Sequence, residues 1–218
     1  MTGKTLVLSD FDGTISTQDI GHEVIKRFMK GDWRELDDSY ASGKIGSMAA
    51  YRRIASLMKA ELREMAEYTL GLNTMDPTFA DFYRFCKRRG FDFKVVSDGL
   101  DFYIRLILER HGLGDIEFFS NVLRFNGGSS VSIEFPCSNG ECGRCGTCKS
   151  MILRNERAEY ERIVYIGDGY SDVCPTQYAD IVFGKGVLYE KCRQNNRACF
   201  HYRNFQDIAD ILDRQQVR

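Results

Sequence analysis

Two pairs of carboxylates carry the chemistry of this chain. Asp10 and Asp12 stand one residue apart in Asp10-Phe11-Asp12-Gly13-Thr14, and Asp168 and Asp172 lie in Gly167-Asp168-Gly169-Tyr170-Ser171-Asp172. Carboxylates this close repel each other, and both stay ionised only beside a cation or strong donors. In extended backbone, residues i and i+2 point the same way, so the first pair can face one site. If the two segments are neighbours, four carboxylates converge. Oxygen ligands in that number suit a hard cation, and Mg²⁺ fits, keeping waters and accepting an anionic substrate oxygen. Ser97, followed by Asp98-Gly99, offers a hydroxyl and backbone N–H groups at the start of a helix. Lys149, at the start of another, offers a compact positive charge. A nucleophilic carboxylate, a metal, a hydroxyl and an ammonium together suit phosphoryl transfer through an aspartyl-phosphate. Each is ordinary alone: an Asp-Gly is a turn, Ser97 a strand-end cap, Lys149 a solvated helix residue. Their combination in order is what points to a site.

The elements that must hold these residues can be read from the apolar pattern. Short apolar runs at 5–9, 93–97 and 163–167 each end in a polar, Gly-containing turn, and a fourth covers 181–183. Helical spacing covers 78–89, 100–111, 149–159 and 171–179. Strands alternating with helices imply a parallel sheet covered on both faces, with ligands at the carboxyl ends of the strands. The expected fold is a Rossmann-like α/β core of three layers. Residues 16–77 lack a strand and read as helices at 20–30, 32–41, 47–58 and 61–70, broken at Gly31, Gly43, Gly46 and Gly71. The division expected is a core of 1–15 and 78–218 and an inserted helical cap of 16–77. Residues 117–136 carry a hairpin signature around Asn126-Gly127-Gly128.

With these motifs in order, the chain resembles the haloacid dehalogenase superfamily. Asp10 to Thr14 match its first motif in the form typical of its phosphatases, Ser97 the second, Lys149 the third, and Gly167 to Asp172 the fourth. The resemblance implies Asp10 as nucleophile and Asp12 as general acid and base. It implies Mg²⁺ held by Asp10, the Asp12 carbonyl and Asp168, with Asp172 beside it, and Ser97 and Lys149 on the phosphoryl group. The helical insert resembles the phosphoserine-phosphatase-like branch. There Asp19 stands where those enzymes carry Glu, and Arg52, next to Arg53, where they carry a carboxylate-binding Arg. Asp98 stands where the branch more often has Gly, so its side chain is expected to point away from the phosphate. From the residues alone, Asp19 reads equally as a helix N-cap, and Arg52 and Arg53 as a solvated helix face.

Four of the eight cysteines fall in a Ser/Asn/Gly-rich loop as Cys137-x₄-Cys142-x₂-Cys145-x₂-Cys148, directly before Lys149. Four thiolates so spaced could close a structural Zn²⁺ site. Free or reversibly oxidised thiols and an iron–sulfur cluster remain as other readings. A cysteine-rich stretch before the third-motif lysine, with Asp19, also resembles a narrower group, the 2-hydroxy-3-keto-5-methylthiopentenyl-1-phosphate phosphatases of methionine salvage. The expected activity is therefore Mg²⁺-dependent hydrolysis of a small phosphomonoester, that enol phosphate first and phosphoserine or a related phosphorylated amine second. A zinc-knuckle binding module is a third reading. It needs basic and aromatic residues near the cluster, and residues 137–148 hold only Arg144 as a cation and no aromatic.

Composition agrees with an enzyme core. The 218 residues are 43% hydrophobic and 28% charged, enough apolar material for a sizeable core, with a formal net charge of −1. That balance gives no general attraction to nucleic acid or anionic membranes. The apolar run at the N-terminus is short and ends in acid, so it does not read as a secretory leader, and a cytoplasmic setting is expected. His22, His111 and His201 have no metal-triad spacing. Trp33, Met48, Met58 and Met65 read as cap core, with one or two positioned to line a pocket for an apolar thioether.

Overall fold

The computed structural model describes residues 3–72 and 74–216. Its framework is a seven-stranded sheet in the order β4-β3-β2-β1-β5-β6-β7, made of β1 (Thr5–Ser9), β2 (Asp92–Leu100), β3 (Glu117–Phe125), β4 (Val131–Glu134), β5 (Arg162–Gly167), β6 (Ile181–Gly184) and β7 (Phe200–His201). All neighbours are parallel except the hairpin pair β3 and β4. The central strand explains why its sequence is a continuous apolar run. Leu6 and Leu8 enter one apolar cluster and Val7 the other, so both faces of β1 are covered. In β5, Ile163 and Tyr165 face the first cluster and Val164 and Ile166 the second. Each fully buried branched side chain contributes about 1.5–3 kcal/mol.

Helices α5 (Phe79–Arg88), α6 (Asp101–Arg110) and α9 (Phe205–Gln216) cover one face, and α7 (Lys149–Glu156) the other; α8 (Gly186–Gln194) follows β6. Phe79 and Phe205 meet edge to face at 5.0 Å between α5 and α9. Four helices, α1 (Ile20–Phe28), α2 (Trp33–Ala41), α3 (Ser47–Leu57) and α4 (Leu62–Gly71), lie between β1 and α5. The chain leaves and re-enters the core side by side: Thr17 N–H donates to the Thr74 carbonyl (2.7 Å) and Asp76 N–H to that of Ile15 (2.9 Å). Met58 and Met65 are fully buried among these helices, and Met48 and Trp33 are half-buried.

The helix expected over 171–179 is instead two short 3-10 turns, Tyr170–Asp172 and Pro175–Tyr178. Pro175 has no N–H to continue a helix, and Asp172 folds its carboxylate back onto the Asp168 and Gly169 N–H groups. β2 also runs three residues past its expected end, with a register shift against β3 between Val96 and Leu100. That irregularity presents Ser97 and Asp98 at the strand end.

Candidate active site

Asp10 leaves the carboxyl end of β1 with its N–H donating to the Ile166 carbonyl of β5 (2.9 Å). Its Oδ1 accepts from Phe11 N–H (2.7 Å) and from the Lys149 ammonium (2.9 Å). The next residues form one wide turn, Phe11–Ile15, closed by Ser16 N–H on the Phe11 carbonyl (2.9 Å). Gly13 has φ +71°, and a Cβ there would lie 2.4 Å from Asp168 Oδ2. The turn therefore needs glycine twice, for its conformation and for the approach of β5. Thr14 donates to Asp168 Oδ1 (2.7 Å), so the β1 turn orients the acid at the end of β5.

Lys149 and Asp172 form the buried base of the site. The ammonium reaches Asp172 Oδ1 at 2.6 Å, and that oxygen also accepts from Tyr165 Oη (2.6 Å). Asp172 Oδ2 accepts from Asp168 N–H (3.0 Å) and Gly169 N–H (2.9 Å). With both oxygens so engaged, Asp172 holds Lys149 and the Asp168 turn in place. Its carboxyl lies below the usual range despite burial, because the Lys149 charge outweighs desolvation together with four donors. Asp10 goes the other way: burial, then the Asp172 charge, raises it well above the usual value. Asp168 rises to about 6 by burial and the nearby Asp172 charge.

Asp10, Asp168 and Asp172 each bring one oxygen to within 4.8 Å of the others. Three carboxylates against the Lys149 ammonium, with Lys185 acting on Asp168 alone, leave excess negative charge in a buried place, in line with the raised Asp10 and Asp168 carboxyls. A divalent, oxygen-seeking cation fits this donor set.

Asp12 stands apart from that cluster. Its Oδ1 accepts from Ile20 N–H (2.8 Å) at the start of α1, and its Oδ2 from Tyr103 Oη (2.5 Å) on α6. Burial, then the Asp19 charge, moves its carboxyl to about 7, poised for proton transfer near neutrality. Tyr103 comes from an ordinary helix, and no sequence signal marks it. Its hydroxyl favours the ionised Asp12. In Tyr103→Phe the pH limb of kcat/KM governed by Asp12 moves to higher pH, with activity lower by about 10-fold. A pH–rate profile of both enzymes measures this.

Ser97 is buried, and its Oγ accepts from Gly99 N–H (2.9 Å). Asp10, Asp12, Asp19, Ser97, Asp98, Gly99 and Asp168 line one cavity of about 250 Å³, and its far wall is Ile25, Trp33, Leu36, Tyr51 and Ile54 from α1, α2 and α3. Asp19 lines this cavity and also caps α1 through His22 N–H (2.7 Å).

Residues 7–174 match the family model of haloacid dehalogenase-like hydrolases. The chain belongs to this family. A 2-hydroxy-3-keto-5-methylthiopentenyl-1-phosphate phosphatase of Brevibacillus brevis is 30% identical over all of this chain and 98% of its own. A protein of the same name from Geobacillus kaustophilus is 30% identical over all of this chain and 99% of its own. A substrate-bound phosphoserine phosphatase structure shares the fold at a TM-score of 0.72 and 22% identity, covering 97% of this chain and 99% of that one.

Within this dehalogenase-like frame, Asp98 has a specific place. Its Oδ1 accepts from Thr147 N–H (2.8 Å) and Asn121 Nδ2 (3.2 Å), and its Oδ2 bonds the Ser47 hydroxyl at the start of α3. Ser47 Oγ in turn accepts from Gly146 N–H (3.0 Å). Nearby, Met48 N–H donates to the Arg144 carbonyl (3.1 Å), and Arg144 reaches the Gly43 carbonyl (2.8 Å). Gly46 is required here, since a Cβ would lie 2.1 Å from the Arg144 oxygen. The acid thus ties the helical insert, the cysteine loop and β3 together. In Asp98→Ala, stability falls by about 2–4 kcal/mol as these donors lose their acceptor. KM rises more than kcat falls, and Asp98→Asn recovers most of both; thermal melts and steady-state kinetics on the two variants check this.

Arg52 and Arg53 do not join the cavity. The phase of α3 turns Ala50, Tyr51 and Ile54 inward and leaves both arginines exposed, with Arg52 over the Phe135 ring at 5.8 Å. Cys137 packs against the apolar cluster of β1, β2 and α7, and its carbonyl accepts from Cys148 N–H (2.8 Å). Among the described residues, no three cysteine sulfurs lie within 4.8 Å of one another.

Proposed function

We propose that the protein is a Mg²⁺-dependent phosphatase that works through an aspartyl-phosphate on Asp10. The observation that carries this reading is the Asp10–Lys149–Asp172 network beside a separately held Asp12. Both contacts to Asp10 fall on Oδ1, which leaves Oδ2 without a hydrogen-bond partner among the described residues and available to attack phosphorus. As the P–O bond to the leaving group breaks, Asp12 gives that oxygen its proton. Asp12, now ionised, takes a proton from water as the water attacks the acyl phosphate and frees Asp10 and phosphate. Lys149 offsets charge on the reacting phosphoryl group, and the Ser97 hydroxyl, whose oxygen is held by the Gly99 N–H, donates to one of its oxygens. Mg²⁺ held by Asp10, Asp168 and the Asp12 carbonyl, with Asp172 behind them, would supply electrostatic stabilisation of the phosphoryl oxygens. Residues 16–77 act as a cap that keeps water from the site.

The substrate proposed is the methylthio enol phosphate named for the relatives, a small metabolite met in a cytoplasmic setting. The wall opposite the acids supports it: Ile25, Trp33, Leu36 and Ile54 offer an apolar surface, and no Lys or Arg is among the described residues lining the cavity. A phosphoserine carboxylate would meet no Lys or Arg there, only His22 and hydroxyl groups, whereas a neutral thioether tail is matched by the apolar side chains. Turnover of both compounds tests this. The enol phosphate is expected to lead in kcat/KM by at least about 10²-fold, with that lead shrinking in Trp33→Ala. Faster turnover of phosphoserine would reverse the assignment.

A further inference from the structure

Ser47 and Ser97 line the cavity with their hydroxyls engaged, Ser47 by Asp98 and Ser97 by the Gly99 N–H. Tyr51 lines it from α3 with its ring half-buried against the apolar core, and its hydroxyl has no hydrogen-bond partner among the described residues. A Cβ on Gly21 would lie 3.0 Å from Tyr103 Oη, 3.3 Å from Asp19 Oδ1 and 3.7 Å from Tyr51 Oη. Gly21 N–H itself lies 3.4 Å from Asp12 Oδ1. The free phenol therefore meets the Asp12 acid and its Tyr103 partner around the first turn of α1. Gly21 is buried, lines the cavity and has no positive φ, so the helix itself does not call for glycine. Alanine would suit the helix better. The missing side chain leaves the wall recessed where these polar atoms gather. Burial, then the charges of Asp98, Asp12 and Asp19, raise the Tyr51 phenol well above its ordinary value, so it stays protonated and donates. The same carboxylates oppose a second anion beside it, and its partner must be a neutral acceptor.

We propose that Tyr51 determines specificity, its hydroxyl donating to a neutral keto or hydroxyl oxygen on the leaving group, close to the phosphate ester. The inference rests on the phosphatase function above, in which Asp12 gives its proton to the leaving oxygen. Asp12 Oδ2, held by Tyr103, marks where that oxygen lies. Tyr51 stands across Gly21 from Tyr103, so it faces the carbons that follow. The methylthio enol phosphate carries a hydroxyl on its second carbon and a keto group on its third, both neutral acceptors. Phosphoserine instead places on its second carbon an ammonium, which cannot accept, and a charged carboxylate. A purely hydrocarbon leaving group leaves the phenol unpaired as water is displaced, which costs affinity.

The full-length wild type and Tyr51→Phe are compared on dihydroxyacetone phosphate, which has a keto group on its second carbon, and on n-propyl phosphate, which has none. An aryl phosphate reports general phosphatase activity. Tyr51→Phe is expected to lose about 10-fold in kcat/KM on the keto ester, mainly through KM, and about 2-fold or less on the propyl ester. The pH limb governed by Asp12 stays in place, unlike that of Tyr103→Phe, because Asp12 takes its phenol hydrogen bond from Tyr103. Equal losses on the two alkyl esters would assign Tyr51 to packing, and a shifted pH limb would assign it to tuning Asp12. Either result, or full activity of Tyr51→Phe on the keto ester, overturns the proposal and leaves the phosphatase function standing. So does a wild type that hydrolyses the aryl ester but not the keto ester. A wild type inactive on all three esters would overturn the phosphatase function, and the proposal with it.

Discussion

The Asp10→Asn variant is expected to lose turnover by at least about 10⁴-fold, a barrier increase of about 5.5 kcal/mol, while melting no earlier than the wild type. Asparagine keeps an acceptor for the Phe11 N–H but is far too weak a nucleophile to form the acyl phosphate. Stability moves the other way because the native carboxylate is held under stress. Burial and the Asp172 charge both oppose its ionisation, and Lys149 retains Asp172 when Asp10 becomes neutral. The substitution thus removes one of the two carboxylates that share the Lys149 ammonium. An aryl phosphate assay and a thermal melt in chelator check both halves. Turnover within 10-fold of the wild type would remove Asp10 from the nucleophile's role.

Lys149→Met produces the opposite pairing of effects, with loss of both activity and fold. Lys149 is 3% exposed, and its ammonium touches Asp10 and Asp172 together. Without it, buried carboxylates lie unpaired, at a cost of about 3–5 kcal/mol. The deficit depends on pH. Lys149 lowers the carboxyl of Asp10 and is the main reason that Asp172 is depressed, so its removal raises both. The folded variant then holds protons that the unfolded chain releases above about pH 4. Its stability is fully retained only below that value and is lost as pH rises through the raised folded values. In chelator-containing buffers, the variant should lie closest to the wild type near pH 4 and fall steadily behind toward pH 8. A pH-independent deficit would show that Lys149 acts through packing alone.

The reacting acids were legible because each stands where an apolar run stops. Residues 5–9 and 163–167 have both faces covered, so their sequences are apolar throughout, and Asp10 and Asp168 mark the point where the sheet meets solvent. Tyr103 and Asn121 were not legible, nor was the reach of Thr14 to Asp168. Each acts by reaching an acid distant in sequence, and nothing local to them differs from ordinary helix, turn or strand. Arg52 and Arg53 illustrate a different limit. Their charge is readable, but which face of α3 meets the cavity depends on how the helix docks. Ser47 and Gly46 decide that docking through Asp98 and Arg144. The 171–179 segment has helical apolar spacing but lacks the backbone donors to use it, since Pro175 contributes none. Helix α9 carries Phe205, Ile208, Ala209 and Leu212 at helical intervals. Its apolar spacing is as clear as that of α5, but it lies beyond the motifs that direct attention to the site.

The acid beside Ser97 also constrains how this lineage can diverge. Positions 47, 98, 121 and 147 share one carboxylate, so substitutions among them combine non-additively. A descendant exchanging aspartate for glycine at 98 would pass through an intermediate with orphaned donors unless serine 47 changed in step. Grafting the helical insert from a relative with a different residue there should fail for the same reason, and succeed once the matching strand end is transplanted with it.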